Sequence, residues 1–149
     1  MKTSKLIFFM AAMLLLGGSF AACNSDDPIP FTHYSLDLNE AGYWDLDYDN
    51  RNGSVVLVNS DEELQKYFIG AEYPPIDFSG HTLVLISGRM GNGISKQTIR
   101  DVRQLSAKKY QVDVEIILNI TAFAEPWAMA ILTDKLSDDS KIEVNVITN

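Results

Sequence analysis

From Tyr110 to Ile120 the chain alternates with a period of two. Tyr110, Val112, Val114, Ile116, Leu118 and Ile120 share one face, and Gln111, Asp113, Glu115 and Asn119 the other. Successive side chains of a strand point to opposite faces, so this segment turns one side to a core and one to water. Other segments read as strands too. Val55 to Val58 and Thr82 to Ser87 are short, β-branched apolar runs, the pattern of buried strands. Trp127 to Thr133 and Ile142 to Ile147 add two more, the latter with Ile142, Val144 and Val146 facing in. Trp44, Leu46 and Tyr48 alternate with Asp45, Asp47 and Asp49, which predicts a strand with aromatics inward and carboxylates outward. Ile94 to Leu105 fits either period: Ile99, Val102 and Leu105 have helical spacing, whereas Ile94 and Thr98 suit a bulged strand, and a strand is the reading adopted.

One helix interrupts the strands. Ser60-Asp61-Glu62-Glu63 has the form of a capping box, Ser60 accepting from Glu63 N–H and Glu63 reaching back to Ser60. Leu64, Tyr67 and Phe68 follow at helical spacing and Gly70 ends the segment after roughly ten residues. Asn50 to Gly53 reads as a turn, and Gly88-Arg89-Met90-Gly91-Asn92-Gly93 as a flexible loop. No regular strand–helix alternation calls for a parallel sheet. The predicted fold is α+β, a mostly antiparallel β-sheet with one short early helix, the alternative being a small β-sandwich or barrel.

The first 22 residues read as an export leader. Lys2 and Lys5 supply the positive start, Leu6 to Leu16 the apolar stretch, and Gly17, Gly18, Ser19, Ala21 and Ala22 the small residues before cleavage. The apolar run is shorter than the roughly 20 residues that span a bilayer. Phe20-Ala21-Ala22-Cys23 resembles a bacterial lipobox, with Phe20 where Leu, Val or Ile is usual. That resemblance implies a diacylglycerol on the Cys23 thiol; ordinary cleavage slightly upstream would instead leave an unpaired thiol in an exported protein. Residues 23-30 then form a polar tether, and 31-149 a single domain. Asp26-Asp27 resembles the surface-export signal of Bacteroidetes lipoproteins, and a solubilising tether explains it equally well.

Charge excludes several partners. The chain has 12 Lys+Arg against 20 Asp+Glu, net −8, and loss of Lys2 and Lys5 takes the mature chain to −10. Such a body has no means of neutralising nucleic-acid phosphates or anionic headgroups. A single cysteine rules out an internal disulfide and a cysteine zinc cluster.

Chemical motifs are sparse. The glycine loop lacks the Lys-Ser/Thr order and following helix of a phosphate loop. Asp45, Asp47 and Asp49 resemble the start of a calcium loop, but Asn50 and Val56 stand where Gly and Glu are required. They are a weak calcium candidate, and no cofactor is expected. His33 and His81 are the only histidines and form no paired motif. With no catalytic constellation marked, an enzyme is not expected.

From Val55 the order of features is similar to a known family. Val58-Asn59-Ser60-Asp61-Glu62-Glu63-Leu64 opens a helix, Pro75-Ile76-Asp77-Phe78-Ser79 leads into the Thr82 strand, and Gly91-Asn92-Gly93-Ile94 and Glu125-Pro126-Trp127 follow. This resembles the PrcB-like domain over about 55-147, found at the C-terminal end of a protease-complex subunit and in small lipoproteins. The resemblance implies a non-catalytic, β-rich domain acting through protein contacts, with no catalytic residues to carry over. Together these readings predict an outer-membrane lipoprotein, periplasmic or surface-exposed. It would be held by lipid on Cys23 and would bind an envelope protein through a loop carrying Arg89, Met90 and Ile94. The alternative is a glycan- or small-ligand-binding lipoprotein using the rings of Phe31, Tyr34, Tyr43, Trp44 and Tyr48.

Overall fold

A computed structural model describes residues 26–35, 43–70 and 72–149. The leader, Cys23 and the first tether residues lie outside the described residues. In chain order the elements are β1 (Asp27–Pro28), β2 (Phe31–Tyr34), β3 (Tyr43–Trp44), β4 (Ser54–Val58), α1 (Asp61–Tyr67), β5 (Phe68–Ile69), β6 (His81–Met90), β7 (Ile94–Ser106), β8 (Lys109–Leu118), β9 (Glu125–Asp134) and β10 (Lys141–Thr148). The described residues are mostly antiparallel sheet with one short helix, as the sequence pattern predicts.

Two four-stranded sheets, ordered β1-β7-β8-β10 and β2-β9-β6-β4, face each other, and β3 pairs with β5 in a two-stranded piece. Between the large sheets lies one core. Ile99, Val102, Val112, Val114 and Ile116 from the first sheet meet Val84, Ile86, Met90, Trp127 and Ile131 from the second. A second core covers the outer face of the β6 sheet, where Leu83, Leu85, Ala128 and Ala130 pack against Trp44, Leu46 and Leu64. The two sequence patterns follow from this layering. β8 has one covered face, so it alternates; β6 is covered on both, so Thr82 to Gly88 are all buried and the run is continuous.

Several expectations need correction. β10 runs parallel to β8, with Lys141 opposite Lys109 through Thr148 opposite Ile116. After β8 the chain crosses to the facing sheet as β9 and returns, and this crossover supplies the long connection that a parallel pair requires. The Trp44 segment has the predicted burial, with Trp44 and Leu46 inside and Asp45, Asp47 and Asp49 outside. Yet only Tyr43–Trp44 is strand, because the segment docks on the outer core by side chains and by a 2.6 Å bond from Asp45 N–H to Tyr67 O. The glycine loop is shorter than read: β6 continues to Met90, leaving Gly91 to Gly93 as the connection. β8 ends at Leu118, and Ile120 lies in a loop.

The ambiguous segment is strand throughout, and its mixed spacing has a cause. Register shifts interrupt β7 between Ile94 and Lys96, Ile99 and Asp101, and Gln104 and Ser106. A bulge resets the alternation, so Ile99 and Val102 both point into the core although three residues apart. The helix cap also differs by one residue. Ser60 Oγ accepts from Glu63 N–H at 3.2 Å, but Glu63 Oε2 reaches past Ser60 to Asn59 N–H at 2.6 Å.

A polar knot stiffens the water-facing side of β7, β8 and β10. Asp113 accepts from Arg103 Nη2 at 2.6 Å, Gln111 Nε2 at 2.8 Å and Asn145 Nδ2 at 3.0 Å. Partial burial pushes the Asp113 carboxyl up, but the Asn145 and Gln111 bonds and the Arg103 charge outweigh it and hold the group below its ordinary 3.8. A lowered carboxylate stabilises the fold above that value and ceases to do so as pH falls through the lowered pKa. Asp113→Ala is therefore expected to cost about 1–2 kcal/mol at pH 7. Melts from pH 7 to pH 2.5 should show a smaller acid-induced loss for the variant than for the parent.

Candidate interaction surface

The sandwich has two ends. At one, β7 finishes and β8 begins around Ala107 and Lys108, and Lys141 N–H bonds to Lys108 O at 2.8 Å. β1 is pinned near this end, with Asp27 opposite Gln104 and Pro28 opposite Arg103. At the other end lie the β6–β7 connection, Gly91 to Gly93, and the β8–β9 connection, Asn119 to Ala124.

Bonds between these two connections shape the second end. Asn119 N–H donates to Gly93 O at 2.8 Å, Gly93 N–H donates to Thr121 O at 3.0 Å, and Thr121 N–H donates to Asn119 Oδ1 at 2.9 Å. A Cβ at Gly93 would stand 2.4 Å from Asn119 Oδ1 and push that amide away from Thr121 N–H. With Asn119 tied down over Gly93, the chain turns outward and throws Ile120 off the strand. Ile120 is 101% exposed and Phe123 is 60% exposed. No charged residue occurs between Glu115 and Glu125, nor between Arg89 and Lys96, so the two connections together make a neutral, apolar tip.

The residues singled out for partner binding divide at this end. Arg89 is half-exposed, its Nη2 lying 3.6 Å from Asp49 Oδ1. Met90 is 7% exposed and packs in the core between the sheets; Ile94 packs partly against the same core, and its N–H donates to Glu125 Oε2 at 2.7 Å. Met90 thus serves the core, and the large apolar side chains exposed at this end are Ile120 and Phe123. Period-two reading placed Ile120 inside. No local signal in the sequence marks Ile120 as exposed, since its alternation continues that of Ile116 and Leu118.

Other candidates disperse. Asp47 Oδ1 accepts from Asp49 N–H and its Oδ2 from Ser54 Oγ, each at 3.0 Å, while Asp49 faces Arg89. Among the described residues no three His, Cys, Asp or Glu side chains converge as metal ligands. Trp44 is 3% exposed, with its ring 4.8 Å from that of Phe68. Tyr34 packs in the same outer core, its hydroxyl donating to Pro74 O at 2.8 Å, and burial with Tyr73 nearby pushes it up to about 12. Phe31 instead meets His33 edge-on, at the other core. These described rings do not line one cleft.

The open sides of the sandwich are partly stapled. Gln97 Nε2 on β7 donates to Ala128 O on β9 at 3.2 Å, and Gly53 packs against Val144. No described helix is long and apolar enough to cross a membrane. Searches against family models, curated proteins and solved structures find no match to this chain.

Proposed function

We propose that this chain is a lipid-anchored, non-catalytic cell-envelope protein that works as a protein–protein interaction module. Cys23 carries the lipid and holds the domain at the outer membrane. The observation that carries the reading is the way the chain joins the domain. Asp27 and Pro28 pair with β7, and Ile29 N–H donates to Val102 O at 2.8 Å. Asp27 thus lies in the sheet only four positions after Cys23, a spacing that suits a body held close to its attachment point. The lipobox-like leader and the PrcB-like order of motifs support the same reading. A glycan-binding role finds less support, because Trp44 is committed to the outer core.

The test is mass spectrometry of protein purified from membranes with its native leader. The expected N-terminal peptide begins at Cys23 with a diacylglyceryl increment, and the protein partitions into detergent. Cys23→Ser should abolish both. A free thiol on a water-soluble species would overturn the reading.

A further inference from the structure

We infer that the tip formed by Asn119 to Ala124 and Gly91 to Gly93 docks Ile120 and Phe123 into an apolar pocket of a partner protein. This deepens the proposed function and rests on it. Three observations converge. The first is shape. Ile120 is 101% exposed and Phe123 60%, so the pair protrudes and fits a concavity better than a flat surface. The second is cost. The loop's amides at Gly93, Asn119 and Thr121 are already bonded within the tip, and the tip carries no charge. Those three amides need no new partner on burial and no side-chain charge is desolvated, which lowers the polar cost set against the gain from apolar area.

The third is direction, and it separates protein from lipid. β7 runs from Ile94 at the tip to Gln104, where Asp27 is pinned, a span of roughly 30 Å at strand rise. Cys23 lies three positions before Asp26, the first described residue, and those residues reach at most about 11 Å. A lipid on Cys23 therefore holds the opposite end, and the tip points away from that bilayer. The mature net charge of −10, after loss of Lys2 and Lys5, gives anionic headgroups no attraction either. A neutral, protruding apolar pair far from its own membrane is suited to a pocket rimmed by hydrogen-bonding groups rather than by charges.

The experiment places a photoreactive phenylalanine analogue at Ile120, at Phe123, or at Asp139 near the anchored end, in the full chain in living cells. A discrete protein adduct from 120 and 123 but not 139 is expected. The adduct is identified, purified and titrated: Ile120→Asp and Phe123→Asp should each weaken its binding at least tenfold with unchanged melts, since neither side chain serves a core. Adducts only to lipid, or only to a second copy, would overturn the inference. So would a blue shift of Phe123→Trp fluorescence on phosphatidylethanolamine–phosphatidylglycerol vesicles. Protein adducts from 139 alone would sink the tip but leave the interaction module standing; none from any position would sink both.

Discussion

Trp127→Ala is expected to cost about 3–5 kcal/mol of folding stability, the range for a large aromatic removed from a close-packed core. Trp127 is 2% exposed and sits in the core between the sheets. It lies opposite Gly88 on the neighbouring strand, and a Cβ on Gly88 would stand 2.7 Å from its Cζ2 and 2.9 Å from Asn50 O. The indole therefore fills the space that a side chain on β6 would take. Gly88→Ala should itself destabilise by about 1–3 kcal/mol through overpacking. The indole Nε1 is buried without a partner, so Trp127→Phe removes that burden and should cost less than the alanine variant. Urea unfolding followed by circular dichroism measures all three. The double variant is the decisive comparison, because residues in contact are not additive. With the ring gone, part of the Gly88→Ala cost should vanish, and the part owed to the Asn50 carbonyl should remain. Full additivity would show that the ring and Gly88 do not compete for space.

Leu64→Ala is expected to cost about 2–5 kcal/mol. Leu64 is the buried residue of α1 and is 0% exposed. Through it the helix covers the outer face of the β6 sheet, beside Leu83 and Leu85. A helix of seven residues is too short to persist on its own in water, so its stability comes from this contact and from its cap. Ser60→Ala, which removes the acceptor for Glu63 N–H, should cost about 1 kcal/mol. Gln65→Ala, on the exposed side of the same helix, should stay within about 0.5 kcal/mol. Thermal melts of the three variants check this order. If Leu64→Ala were as mild as Gln65→Ala, the helix would not be part of the second core.

The sequence by itself determined the strand content, the early capped helix, the Asn50–Gly53 turn and the inward side of most strands. These are written in local periodicity and turn chemistry, and neighbours a few residues apart enforce them. Gly53, for example, has the positive φ of 85° that its place in the turn demands. Only the tertiary structure decided what each face meets. The same apolar alternation ends inside the core at Ile116 and outside it at Ile120, because Asn119 bonds to Gly93 from a different part of the chain. Met90 reads as a loop residue by its glycine neighbours, yet it belongs to the core because β6 pairs with β9 as far as Glu125. The bulges that bring both Ile99 and Val102 inward, the parallel pairing of β10 with β8, and the separation of the β1 end from the apolar tip have the same origin. Each depends on which distant strand lies alongside, and period and propensity along one strand contain nothing about its neighbour.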